Sequence, residues 1–172
     1  MAKRPADPAN GSEPAARQVP MRDFSRSLPM SLLRAREAVM RQFRPKLREH
    51  GLTEQQWRIL RALAAIEAAE VTELARTAFL LGPSLSRILR DLEARNLIER
   101  KTAKADQRRS MVSISKEGVK LMASVAPSSE AIYAEITQRF GARKLAELQE
   151  MLGELEQSLA GLGTGEEASA EE

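Results

Sequence analysis

A mainly helical fold carrying one small β-hairpin is what the sequence predicts, on three observations. The chain of 172 residues is rich in Ala, Leu, Arg and Glu, all strong helix formers, and only 3% of it is aromatic. Apolar residues recur at i, i+3, i+4 spacing in several stretches between residues 28 and 160. Around 97–114 the pattern changes to rough alternation of apolar and polar residues, on either side of Lys104-Ala105-Asp106-Gln107-Arg108-Arg109.

Residues 1–26 carry Pro5, Pro8, Pro14 and Pro20 among Ala, Gly and Ser, and predict a disordered basic arm. Ser27 stands as N-cap of a first helix, with Pro29 in its first turn, running to His50 and stopped by Gly51. Leu28, Leu32, Ala35, Val39, Phe43 and Leu47 share one face, and Leu33 and Met40 lie off it. The helix therefore offers one apolar surface to its own subunit and one to a partner, and Pro45 is expected to kink its last turns.

Thr53-Glu54-Gln55-Gln56 reads as a capping box opening a second helix to Ala65, anchored by Trp57, Leu60 and Leu63 with Ile59 beside them. Residues 67–71 form a connector or one brief strand. Thr72 is placed as cap of a third helix with Leu74, Ala75 and Ala78 inside. The turn Phe79-Leu80-Leu81-Gly82 leads to a fourth helix over 83–96, which buries Leu85, Ile88, Leu89 and Leu92 and leaves Arg87, Arg90 and Arg95 off that face. Asn96 can take the left-handed cap.

Strands are predicted over 97–102 and 110–114, joined by a projecting loop of the intervening residues. Ser115-Lys116-Glu117-Gly118 opens a final helical region with Val119, Leu121, Met122 and Val125, kinked at Pro127. It restarts near Gly141 with the stripe Leu145, Leu148, Met151, Leu152, Leu155 and Leu159. Residues 163–172 read as an acidic, disordered tail, leaving one domain over 27–162.

The net charge of +3 hides an asymmetry. Residues 71–115 hold nine cations against five acids, whereas 116–172 hold five against eleven. A basic middle suits a polyanion, although arginine on helices is often a solvated face. With no cysteine, thiol chemistry, thiolate metal sites and disulfides are excluded. With His50 as the single histidine, a histidine metal site or a Ser-His-Asp triad lacks parts. No cofactor is implied and enzyme activity is not expected. The lack of a long apolar run or an apolar leader predicts a cytoplasmic protein without membrane contact.

Two helices, a tight turn and a basic hairpin in this order read as a helix-turn-helix with a wing, a device for placing one helix in the major groove of double-stranded DNA. Ser84, Ser86 and Arg87 in the first turns of the fourth helix can reach base edges, and Arg90 a base or phosphate. In the wing, Asp106 can orient Arg108 for entry into the minor groove, with Lys104 and Arg109 on phosphates. Taken alone, Asp106-Gln107-Arg108-Arg109 is simply a charged hairpin turn.

The run Asp106 to Gly118 resembles the signature of the MarR family of bacterial transcription regulators, Asp-x-Arg, a strand, then Leu-Thr-x-x-Gly, with Ile114 and Ser115 replacing Leu-Thr. Leu92-Glu93-Ala94-Arg95-Asn96-Leu97 is similar to the family's exit from the recognition helix, and Leu52-Thr53-Glu54-Gln55-Gln56-Trp57-Arg58 to the start of its second helix. The wording of residues 28–37, of Phe43-Arg44-Pro45 and of residues 51–58 is similar to the branch of homoprotocatechuate-operon regulators.

The resemblance implies a homodimer, with a DNA-binding core at 52–115 and dimerisation segments at 27–50 and 116–160. Its two recognition helices would lie about 34 Å apart on a pseudo-palindromic operator. It also implies a repressor of an aromatic-compound catabolic operon, released by a small aromatic acid or its coenzyme A thioester. Met30, Ser31, Arg34, Arg44 and Trp57 are the candidates for holding that effector, although Trp57 also suits a core anchor, and Arg34 and Arg44 can pair with Glu37 or Glu49. The alternative is a winged-helix module that binds protein rather than a DNA sequence.

Overall fold

The computed structural model describes residues 23–103 and 106–160, with backbone only at 102, 103 and 106–109. The acidic tail, Lys104 and the arm up to residue 22 lie outside the described residues. The chain divides into two units, 1–38 and 39–172.

In the first unit, residues 23–26 were expected in the loose arm but carry a 3-10 turn, Phe24–Arg26. Asp23 caps it by accepting from the Ser25 amide at 2.7 Å. Its carboxyl is held below its ordinary pKa first by the Ser25 hydroxyl, then by that amide. Ser27 holds the expected N-cap position of the helix that follows, extended at φ −66° with its carbonyl accepting from the Ser31 amide at 3.0 Å, while its hydroxyl donates back to the Phe24 carbonyl at 2.9 Å. Helix α1 (Leu28–Glu49) starts here. Arg34 donates to the Ser25 carbonyl. Leu28, Leu32 and Leu33 are exposed.

In the second unit α1 runs unbroken through Pro45 and ends at Gly51, whose φ is +65°. The Leu52 amide reaches back to the Leu47 carbonyl and the Gly51 amide to that of Arg48, the paired bonding of a left-handed helix cap. Helix α2 (Glu54–Ala64) opens with the expected capping box: the Thr53 hydroxyl accepts from the Gln56 amide, and the Gln56 side chain from the Thr53 amide. Ile59, Leu60 and Leu63 are fully buried.

The brief strand β1 (Ala69–Glu70) runs directly into α3 (Val71–Thr77). Thr72 is therefore not its cap. Pairing with the hairpin holds Glu70 extended, so the helix begins two residues earlier than expected, with Glu70 at the cap position and no side-chain cap. Helix α4 (Gly82–Ala94) follows, with Leu85, Leu89 and Leu92 buried, and Asn96 takes the left-handed cap at φ +57°.

Strands β2 (Ile98–Ala103) and β3 (Asp106–Ile114) form the hairpin, and the sheet order is β1-β3-β2, all antiparallel. The long projecting loop is corrected here. Pairing continues past an irregularity at Thr102/Ala103 to Ala103 opposite Asp106, leaving only Lys104 and Ala105 between the strands. Residues 103–109 are polar or charged apart from Ala103 and Ala105, so no apolar alternation marked them as strand.

Helix α5 (Lys116–Phe140) passes through Pro127 without interruption, and α6 (Ala142–Leu159) begins after Gly141, at φ +95°. The core gathers Phe43, Leu47, Leu52, Trp57, Val112 and Val125 with the buried residues of α2, α3 and α4. Helix α6 buries no residue within the chain, and Leu148, Met151, Leu152 and Leu159 are exposed.

Candidate functional site

Helix α4 buries one stripe and turns the opposite face outward. Ser84, Ser86, Arg87 and Arg90 are all exposed there, and among the described residues neither Arg87 nor Arg90 has an ion-pair partner. Arg95 instead leans on Asp91 at 3.7 Å. Unpaired guanidiniums beside small hydroxyl residues at the start of a helix make a surface that can meet a polyanion closely.

Three sets of contacts fix that helix. At its flank, buried Gln56 donates to the Asp91 carboxylate at 2.6 Å while its other amide atom closes the α2 capping box. At the preceding turn, Arg58 donates to the Ala78 carbonyl at 2.9 Å. Beyond its end, the Ser115 hydroxyl donates to the Asn96 carbonyl at 2.6 Å and accepts from the Gly118 amide at 3.0 Å, and the Ser115 amide donates to the Leu97 carbonyl. The end of α4, the base of the hairpin and the start of α5 are thus stitched together.

In the wing, the backbone of Asp106, Arg108 and Arg109 lies in β3, in the half of the strand next to the hairpin end. Lys104 falls outside the described residues.

Of the expected effector residues, Arg44 and Trp57, both in the second unit, line separate cavities. Met30, Ser31 and Arg34 belong to the first unit, where Ser31 is exposed and Arg34 is bound to the Ser25 carbonyl. Arg44 pairs with Glu54 at 3.0 Å. Glu54 is also bridged to Arg58 at 3.0 Å, and its side chain is only 12% exposed. Arg44 lines a groove of about 350 Å³ with Leu47, Arg48 and Leu52.

Trp57 lines a separate cavity of about 140 Å³ with Arg61, Met122, Ala126, Ser129 and Glu130. The tryptophan is 8% exposed, so it is both core anchor and wall. Arg61 donates to the Tyr133 hydroxyl at 3.0 Å. The Tyr133 ring meets that of Phe43 at 5.0 Å between centroids, tilted by 59°. A guanidinium and a phenol beside an indole wall can hold a carboxylate and a ring together. Sequence reasoning missed Arg61 and Tyr133. The available signals were that Arg61 sits four residues after Trp57, on the same helix face, and that Tyr133 is the single tyrosine. Among the described residues, no group of three or more His, Cys, Asp or Glu side chains could hold a metal, and no helix is long and apolar enough to cross a membrane.

Residues 50–109 match the profile of the MarR family. The homoprotocatechuate degradative operon repressor of Escherichia coli is 41% identical over 128 residues, covering 74% of this chain and 86% of the relative. The chain belongs to the MarR family. Its fold is that of the family's winged-helix regulators, and it is similar to the branch of homoprotocatechuate-operon repressors. NadR, solved in complex with 4-hydroxyphenylacetate, superposes with a TM-score of 0.69 at 37% identity, covering 80% of this chain and 97% of that one. CouR, a repressor bound to a 23-mer DNA duplex, gives 0.70 at 26% identity, covering 76% and 93%. These MarR-family relatives are transcription regulators, in keeping with the expectation of a non-enzymatic role. The family signature also gains a physical reason. Ser115, where Leu-Thr-x-x-Gly has Thr, caps α5 through its hydroxyl, so the replacement keeps the function of the position.

Proposed function

We propose that this MarR-family regulator is a homodimeric repressor of an aromatic-compound catabolic operon, released from a pseudo-palindromic operator by a small aromatic acid. The observation that carries the reading is the Arg61–Tyr133 pair beside the cavity walled by Trp57, Met122 and Ala126. Its volume of about 140 Å³ is close to the roughly 150 Å³ that houses a benzene ring in a protein interior. A single aromatic ring fits that volume, whether carried by a free acid or by the acyl end of a coenzyme A thioester. The carboxylate would pair with Arg61, and the ring would pack on Trp57. The resemblance to NadR, solved with 4-hydroxyphenylacetate, supports the same ligand class.

On the DNA side, Ser84, Ser86, Arg87 and Arg90 would face the major groove, with Arg108 and its neighbours Lys104 and Arg109 along the minor groove and backbone and Asp106 orienting the wing. The apolar stripe of α6, unburied within one chain, supports a second copy as its partner. Helix α2 supplies the link between the two activities. It carries Trp57 and Arg61 toward the cavity, and Gln56 and Arg58 toward α4 and the turn before it. An effector that binds the released geometry more tightly lowers DNA affinity by the same coupling, roughly 1–3 kcal/mol.

The test is a melting-temperature screen of the full chain with hydroxyphenylacetates, hydroxybenzoates and hydroxycinnamates, followed by DNA-binding titrations with any hit. A selective rise in melting temperature with loss of DNA affinity is expected. No stabilisation by any single-ring acid would overturn the effector reading.

A further inference from the structure

Phe79 and Leu81 are each 80% exposed, and they stand two residues apart in the turn that joins α3 to α4. Neither is there for the chain's own packing. The turn is closed by the Phe79 amide on the Arg76 carbonyl and the Leu80 amide on the Ala75 carbonyl. This is the same paired bonding that ends α1 and α4, and it requires a left-handed residue in the middle. The other two caps use Gly51 and Asn96, residue types that accept that conformation. Here the residue is Phe79, at φ +50°. A bulky side chain pays strain to sit there, and it gains no burial in return, since it is Leu80 that packs against the core. Leu81 repeats the pattern. It holds the N-cap position of α4 with no side-chain cap hydrogen bond, in a slot that Ser, Thr, Asp or Asn usually fills.

The surroundings say what these side chains meet. Arg76, Arg87 and Arg90 are exposed near them without an ion-pair partner among the described residues. A Cβ added at Gly82 would meet nothing within 4 Å, so the start of α4 can be approached closely. An apolar pair set in a cationic surface fits a partner that is polyanionic and yet offers isolated apolar groups. The major groove does both, through phosphates along its edges and the C5 methyl of thymine on its floor.

We infer that Phe79 and Leu81 are specificity determinants that read thymine methyl groups at a fixed position of each half-site. The inference rests on the DNA-binding reading above. It adds apolar recognition to the hydrogen bonding of Ser84, Ser86 and Arg87.

The test uses the full chain and a duplex enriched by it from a random-sequence pool. Each thymine is then replaced singly by deoxyuridine, which removes the methyl and keeps the base pairing. Wild type should lose about fourfold in affinity, the worth of one buried methyl, at one or two positions per half-site. Leu81→Ala should lose a similar factor and become indifferent to the methyl, while Arg87→Ala stays sensitive. Phe79→Gly should weaken binding yet melt no lower than wild type, because the left-handed strain is relieved. The inference is overturned if deoxyuridine changes affinity less than twofold everywhere, or if Leu81→Ala and Phe79→Gly bind and discriminate like wild type, which would point to a protein partner on this face. If the chain enriches no duplex at all, the DNA-binding reading falls as well, and that outcome is separate from the first two.

Discussion

Gly118 lies so close to the Leu97 carbonyl that a Cβ built on it would sit 2.2 Å from the oxygen. The neighbouring Ile114 side chain would be 2.8 Å away. This contact explains why glycine closes the wing signature. The first turn of α5 packs directly on the segment leaving α4, and backbone against backbone leaves no flexible atom to yield. Gly118→Ala should therefore destabilise the fold by about 2–3 kcal/mol, lowering the melting temperature by roughly 5–10 °C. Thermal melting of the variant checks it, and a melting temperature within a degree of wild type would contradict the packing.

The hydrogen bond from Gln56 to Asp91 joins α2 to α4 across 35 positions of sequence. Gln56 is buried while the Asp91 side chain is 53% exposed, so truncating Asp91 removes one charge-assisted hydrogen bond between the helices. Asp91→Ala is expected to cost about 1–3 kcal/mol in chemical denaturation. It should also reduce the effector's influence on DNA affinity, since one link between the two sites is gone. Full stability with unchanged coupling would remove Gln56 from the account.

The proposed effector pocket separates two arginines that look alike in sequence. Arg61→Ala should abolish stabilisation by aromatic acids, and Tyr133→Phe should reduce it, since only a hydroxyl is lost. Arg44→Ala should leave ligand binding unchanged and lower stability, because Arg44 helps neutralise the poorly exposed Glu54. Ligand titrations by calorimetry discriminate these, and a ligand-binding defect confined to Arg44→Ala would restore the arginine favoured by the sequence.

Much of the fold was legible because its signals are local. The capping box at Thr53 and Gln56, the left-handed stops at Gly51 and Asn96, and the break at Gly141 each follow from one residue's backbone chemistry. The early start of α3 was not legible, since it is set by β1 pairing with β3, a contact distant in sequence. The hairpin's length was hidden for a different reason. Period-2 patterning is absent over 103–109, where the sequence offers only alanine, polar and charged residues, so pairing there leaves no apolar signal. At the site, the exposed arginines of α4 could be picked out by periodicity. Arg61 and Tyr133 could not be paired, because 72 positions separate them and only tertiary packing brings them within 3.0 Å.

The two classes of DNA contact should separate in titrations. Arg87→Ala is expected to relax preference at particular base pairs, with a loss of about 1–3 kcal/mol at those positions. Arg108→Ala should weaken binding to most sequences, most strongly where A·T-rich flanks narrow the minor groove. Binding to a panel of single-base operator variants reads both. A uniform loss for Arg87→Ala would make it a phosphate contact, and unchanged affinity for Arg108→Ala would remove the wing.

The most direct measurement of the central claim is a fluorescence-anisotropy titration of an enriched duplex at several salt concentrations, with stoichiometry read from the saturation point. Two chains per duplex are expected. Log affinity should fall with log salt at a slope of roughly −5 or steeper, as six or more phosphate contacts require. A single chain per duplex, or an affinity indifferent to salt, would contradict a paired cationic reader of DNA.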